Sequence, residues 1–166
     1  MLHPALIAKD TGTIQGQGLF TTEFITQGTM LWELEGPTFS WAEVLEWSPE
    51  RFARFRHYGF QCGVDSYSLP EDLSREANHS CNPNTWWGEG YSLVARWDIK
   101  AGDEITYDYA SCDIELALEM TCHCGAHNCR KDISNQDYLD PVWQKQYGEH
   151  LPPHVLAAID ALPGRA

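Results

Sequence analysis

Apolar and polar positions alternate in short bursts along this chain, with turn formers between them. Residues 12–36, GTIQGQGLFTTEFITQGTMLWELEG, set β-branched and aromatic residues between glycines, which predicts small strands joined by tight turns. The pattern then changes. In SWAEVLEWSPERFARF, residues 40–55, Ser40 and Glu43 form a capping box and Ser48 with Pro49 restarts a second short helix, so two packing helices are expected. Residues 56–69 mix Tyr, Phe, Gly and Val without a helical period and read as strands and loops. YSLVARWDIKAGDEITYDY, residues 91–109, alternates well enough for two strands joined at KAGD. Residues 137–148 and 152–162 read as short terminal helices, the second beginning after Pro152 and Pro153. No internal repeat or low-complexity tract interrupts the series. The expectation is a mostly β fold of small sheets, with short helices at one side and at the end.

At 166 residues the chain fits one domain with a real core, and a hydrophobic content of 43% argues against disorder. The opening MLHPALIAKD has neither a basic leader region nor a long apolar run, and no stretch approaches a membrane span. An intracellular, cytoplasmic protein without a membrane partner is expected. The formal net charge of −13 makes a phosphate backbone a poor partner and a basic, lysine-containing protein a good one, although acidity also serves solubility alone. Direct nucleic-acid binding is therefore not expected. Six cysteines without a secretory signal point to thiols or metal rather than to disulfides.

The chemistry concentrates in four places. CHCGAHNC places Cys122, Cys124 and Cys129 in a C-x-C-x4-C spacing that brings three thiolates within reach of one ion. A structural zinc needs a fourth ligand, for which Cys81, Cys62, Cys112, His123 and His127 are candidates. Buried free thiols are the plainer alternative. Gly16, Gln17 and Gly18 open a strand-like run where the backbone can approach a ligand closely, or where the chain only turns. Lacking a third glycine and a following helix, GQG is not a dinucleotide fingerprint. In GDEITYDY, Tyr107 and Tyr109 sit two apart and point the same way on an extended chain, as a core pair or as one wall of a polar pocket. The loop EANHSCNPN, residues 76–84, carries more Asn, His, Ser and Cys than a connection requires, although turn chemistry explains several of them.

Taken in this order, GQG, NHSCNPN, GDEITYDY and C-x-C-x4-C resemble the SET-domain family of protein-lysine methyltransferases with its cysteine-rich post-SET tail. The match runs from about residue 13 to 130, and the segment after Arg130 resembles the tail of small free-standing bacterial SET proteins. The resemblance implies a SET-type β-fold of small sheets with a knot-like core (a pseudoknot), a SET domain over residues 1–112 with an insert at about 40–73, and a zinc-bound post-SET segment with helices over 113–166. It implies S-adenosyl-L-methionine as methyl donor, held by Gly16, Gln17, Gly18, Arg75, Asn78, His79 and Tyr109. One zinc ion would sit on Cys81, Cys122, Cys124 and Cys129, leaving Cys62 and Cys112 uninvolved. Tyr109 matches the family tyrosine at the transfer point, and Tyr107 the position that sets how many methyl groups a lysine receives. Its being tyrosine implies mainly monomethylation.

Departures from the family pattern shape further expectations. No cysteine-rich region precedes the match, so substrate selection falls to the insert. CRK replaces the common CRG after Cys129, and the aromatic residue that usually covers the donor's adenine is not in place, with Tyr138 and Trp143 as candidates to replace it. The implied activity is methyl transfer to a lysine ε-amine of a basic protein, with nuclear or host chromatin as the location if that protein is a histone. The alternative is a catalytically silent SET module that binds a basic peptide.

Overall fold

The computed structural model describes residues 1–12 and 16–164; residues 13–15, where the family resemblance begins, lie outside them. In chain order the elements are β1 (Leu6–Asp10), β2 (Gln17–Thr21), β3 (Met30–Glu33), α1 (Trp41–Leu45), α2 (Pro49–Tyr58), β4 (Phe60–Gly63) and β5 (Ser66–Ser68). They continue with β6 (Asn78–His79), β7 (Thr85–Trp87), β8 (Ser92–Ala95), β9 (Glu104–Tyr107), β10 (Glu119–Thr121), β11 (Asp132–Ser134), α3 (Pro141–Tyr147) and α4 (Pro153–Asp160). The strands form small sheets, in the orders β1-β2-β9-β6, β3-β8-β7, β4-β5 and β10-β11.

The caps form as the sequence predicts. Ser40 Oγ accepts from the Glu43 N–H while Glu43 Oε2 accepts from the Ser40 N–H at 2.8 Å, and the Ser48 side chain caps α2 ahead of Pro49. α2 runs on to Tyr58, three residues into a stretch expected to be extended. Arg56 and His57 in its last turn suit the negative end of the helix dipole.

Two further expectations change. β1 is an addition to the predicted elements, because LIAKD is a half-buried strand whose pattern grades from buried to exposed instead of alternating. The strands flanking KAGD form, and the turn closes through the Asp103 N–H to Lys100 O at 3.0 Å, but they do not pair with each other. β8 joins β3 and β7, whereas β9 lies antiparallel to β2 and parallel to β6. The bridge between Ile25 and Ile99 redirects the chain from one sheet to the other, and both side chains are buried in the main core with Leu19, Leu31 and Ile105.

The parallel contact positions the site. Asn78 is in register with Thr106 and His79 with Tyr107, and the loop beyond β6 is laced to β9. Asn84 Oδ1 accepts from the Thr106 N–H at 2.9 Å, Asn84 Nδ2 donates to Glu104 O at 2.7 Å, and the Thr85 hydroxyl donates to Thr106 O at 2.8 Å. Asn84 and Thr85 thus supply through their side chains part of the ladder that a two-residue strand cannot.

Candidate functional site

A single cleft of about 1430 Å³ runs between α2, β6, β9 and the segment leading into β10. It exceeds the volume of an ordinary small-molecule pocket, which is up to about 1000 Å³, and so has room for a small ligand and a stretch of peptide. Gln17, Arg75, Asn78, His79, Tyr107 and Tyr109 line it, and Cys122, His123 and Cys124 close one end. The insert helices do more than pack, since Trp41, Phe52 and Phe55 form part of the wall.

Gly18 leaves room for its neighbours' side chains: a Cβ would lie 2.5 Å from Glu104 Oε1 and 2.7 Å from Thr11 Cγ2, so a larger residue would have to displace both. Gly16 has φ +75°, in the left-handed region, and its carbonyl accepts from the Thr11 N–H at 2.7 Å. The Asn78 amide donates to Gln17 O at 3.0 Å and to Glu104 Oε1 at 2.8 Å, tying the GQG strand to the asparagine loop. Arg75 pairs with Glu76 at 2.9 Å on the cleft wall.

The two tyrosine rings lie 4.9 Å apart and face the same cleft, as their spacing predicts. The Tyr109 hydroxyl donates to Ala77 O at 3.2 Å. With its hydrogen engaged there, the oxygen presents only lone pairs to the cleft. Burial pushes both phenols well above their ordinary pKa, so both keep their protons at neutral pH.

Cys81, Cys122 and Cys124 come together with His79, their ligating atoms all within 4.8 Å of one another. Cys81 Sγ lies 3.7 Å from Cys122 Sγ. That matches the edge of about 3.8 Å expected for a tetrahedron with Zn–S bonds of about 2.3 Å. Backbone N–H groups converge on the sulfurs, from Cys81 to Cys124, Cys124 to Cys122 and Arg130 to Cys81, each at 3.4 Å. Such donors favour thiolates. At Cys124 burial works against ionisation, but the N–H groups of Cys81 and Ala126 and hydrogen bonds from the Cys122 and Cys129 thiols together outweigh it and bring the thiol down to about 7, whereas at Cys81 and Cys122 burial prevails and raises the thiols. Cys129 lies outside that compact set, with its Sγ donating to Cys122 O at 3.6 Å and its thiol hydrogen-bonded to those of Cys122 and Cys124. The donor set and spacing fit a zinc ion.

Cys62 and Cys112 are buried in a different cluster with Trp32, Phe60 and Trp87, away from the metal-type sulfurs. Neither Tyr138 nor Trp143 lines the cleft: Trp143 is 2% exposed, and its indole N–H donates to Asp108 Oδ2 at 3.0 Å.

Asp108 is a residue that sequence reasoning missed. Its carboxylate is fully buried and receives the Arg130 guanidinium as a two-pronged pair, both contacts at 2.8 Å, together with the Tyr147 hydroxyl at 2.7 Å. Burial alone would raise its pKa, but hydrogen bonds and charge from Arg130 outweigh that and hold it below the usual carboxylate range. Arg130 also faces Asp137 Oδ2 at 2.9 Å, an ion pair too bent to be a hydrogen bond. The carboxylate sits between the two tyrosines in the chain, and its arginine follows Cys129. One buried ion pair thus joins the cleft wall to the cysteine segment and to α3.

His79 is almost fully buried, which lowers its pKa to about 4 and keeps it neutral. Its Nδ1 accepts from the Tyr109 N–H at 3.2 Å and its Nε2 faces Cys81 Sγ at 3.3 Å.

The SET-domain model matches residues 16–110, and the chain belongs to the SET-domain family. The cysteine cluster beyond that match fits a post-SET segment. The histone-lysine N-methyltransferase ASHH3 of Arabidopsis thaliana is 30% identical over 136 residues, covering 71% of this chain and 35% of that protein. A histone-lysine N-methyltransferase of Debaryomyces hansenii described as H3 lysine-36 specific is 28% identical over 141 residues, covering 76% of this chain and 19% of that protein. This chain therefore spans about a third and a fifth of those relatives. Among solved structures, KRYPTONITE in complex with mCHG DNA and SAH superposes with a TM-score of 0.61 at 24% identity, covering 79% of this chain and 29% of that one. The methyltransferase domain of human SETMAR gives 0.58 at 24%, covering 78% and 58%.

Proposed function

We propose that this protein transfers a methyl group from S-adenosyl-L-methionine to the ε-amine of a lysine in a basic protein. The observation that carries the reading is the convergence of Gln17, Asn78 and His79 with Tyr107 and Tyr109 on one cleft that ends at the cysteine cluster. The donor supplies an activated methyl on a positively charged sulfur. The chain's task is alignment: a lysine and a donor held in line gain effective molarities of about 10⁵ M or more. β2 with Gly16, Gln17 and Gly18, together with Arg75, Asn78 and His79, would hold the donor. Tyr109 directs its lone pairs at the charge moving between sulfur and nitrogen. The SET portion is read as residues 1–112 with its insert at 40–73, and the post-SET portion as 113–166. The named activities of the relatives favour a histone as substrate, which would place the protein on chromatin. Among the described residues no helix is long and apolar enough to cross a membrane.

Calorimetry tests the donor site directly. One molecule of S-adenosylmethionine bound per chain is the expected result, and no heat of binding would refute the assignment.

Cys81, Cys122, Cys124 and Cys129 are read as the zinc ligands, with His79 outside them. A neutral histidine that accepts at Nδ1 carries its hydrogen on Nε2, so His79 donates to the Cys81 sulfur instead of ligating. Elemental analysis should find one zinc per chain, and a chelator should weaken donor binding as the end wall of the cleft loosens. Protein purified without chelator yet free of zinc would contradict the ligand set.

Tyr107 packs edge-on to Trp87 with ring centroids 6.3 Å apart, at the aromatic end of the cleft. Its hydroxyl can hold a water against the amine, leaving less room for an already methylated nitrogen to rotate into line. The native protein should give mainly monomethyllysine, and Tyr107→Phe should shift products toward di- and trimethyllysine. Mass spectrometry of fully converted substrate decides this, and abundant trimethyllysine from the native protein would remove the role.

A further inference from the structure

One buried acid in the cleft belongs neither to the donor-binding strands nor to the tyrosine pair. Asp113 is 8% exposed and lines the aromatic end of the cleft with Trp32, Phe60, Trp87, Leu93 and Tyr107. Its position is built, because Gln61 on β4 is itself fully buried and holds the chain on both sides of its own strand. The Gln61 N–H donates to Asp113 Oδ1 at 2.7 Å, and Gln61 Oε1 accepts from the Ile114 and Glu115 N–H groups at 3.0 and 2.9 Å. Among the described residues Asp113 accepts no second hydrogen bond and forms no ion pair. A lone carboxylate inside an aromatic box is costly, and a cation is the ligand chemistry that offsets the cost.

We propose that Asp113 is a catalytic residue of the transfer, receiving the substrate ammonium at the aromatic end of the cleft and taking the proton that the amine must lose. The inference rests on the methyl-transfer reading. The ammonium gives one proton to the carboxylate, leaving a neutral amine and a carboxylic acid. The amine lone pair then forms the N–C bond as the C–S bond breaks, so the positive charge passes from sulfur to the methylated nitrogen. Asp113 returns its proton to water when the product leaves.

Burial raises the Asp113 pKa from 3.8 to about 7, against the lowering effect of the Gln61 N–H, which suits a base working near neutrality. The groups that face it are Tyr107 from β9, Cys62 from β4, Tyr67 from β5 and Cys112 from its own segment. Glu115 is bonded to Gln61 and Tyr67 beside it, and His154 from α4 sits on the Cys112 carbonyl. The tyrosines and cysteines have raised pKa values and the histidine a lowered one, so all are neutral at pH 7.

Asp113→Asn keeps the shape and the acceptor for Gln61. The assay uses tritiated S-adenosylmethionine with a pool of core histones and whole-cell lysate protein. The native rate should rise through an acid limb near the Asp113 pKa. The variant should lose that limb, fall about a hundredfold in kcat at pH 7, and recover as pH approaches the lysine's own range. Melting of the free protein supplies a readout independent of turnover. Because folding raises this carboxyl's pKa, its contribution to stability is complete below the unfolded value of 3.8 and is lost as pH rises through about 7. The variant should therefore gain on the native protein as pH rises through those limits, by about 10 °C at pH 8 relative to pH 4. Survival of the acid limb in the variant overturns the proposal whatever the melting curves show. A native protein that binds the donor but labels nothing in the pool overturns the methyl-transfer reading, and the base with it.

Discussion

Replacing Tyr109 with phenylalanine should lower kcat by about a hundredfold, in line with the loss of one oriented polar group at a developing charge. The fold should survive, because the hydroxyl makes one hydrogen bond, to Ala77 O, and a bond of that kind contributes only about 1 kcal/mol. The ring keeps its contacts with Tyr107 and His79 at 4.9 and 5.3 Å. Donor affinity should change little, since what is removed acts on the charge that moves during transfer. Single-turnover rates beside a melting curve separate the effects. A variant with near-native turnover would return Tyr109 to the role of a packing residue.

The second large effect is on stability. Arg130→Ala would strip the guanidinium from Asp108 and leave a fully buried carboxylate with only the Trp143, Tyr147 and Ala110 donors. Removing one partner of a buried ion pair costs about 3–5 kcal/mol, a large share of the stability of a domain this size. The loss should fall hardest on the cysteine segment and α3, because Asp108 is where both join the tyrosine strand. Urea unfolding followed by tryptophan fluorescence would report it, since Trp143 donates directly to the affected carboxylate. An unfolding free energy within about 0.5 kcal/mol of the native value would mean that the pair contributes nothing net.

These two residues mark how far the sequence could be read. Tyr109 was legible because a tyrosine pair two apart on an extended run must share a face, and the cysteine spacing was legible because ligands from one loop need a short span. The helix starts could be read for the same local reason, as Ser40, Glu43, Ser48 and Pro49 act within one turn. What the pattern cannot carry is the identity of a distant partner. Asp108 reads as the polar position between two aromatic ones, and only the fold shows that its side faces inward to Arg130, 22 residues away. Asp113 and Gln61 are hidden likewise, since a polar residue is expected outside unless its buried partner is known. Strand pairing failed on this point as well: KAGD is a sound turn, yet β8 and β9 take partners from β3 and β2, far earlier in the chain.

The central claim is transfer of a methyl group to lysine, and labelled transfer tests it most directly. The protein is incubated with tritiated S-adenosylmethionine and a mixture of core histones and lysate protein, and labelled bands are hydrolysed for amino-acid analysis. The account predicts tritium in ε-N-methyllysine from at least one basic protein, and about a hundredfold less when Tyr109→Phe replaces the native protein at the same concentration. Donor binding with no label in lysine from any band would contradict it and leave a silent module that binds its ligand without turnover.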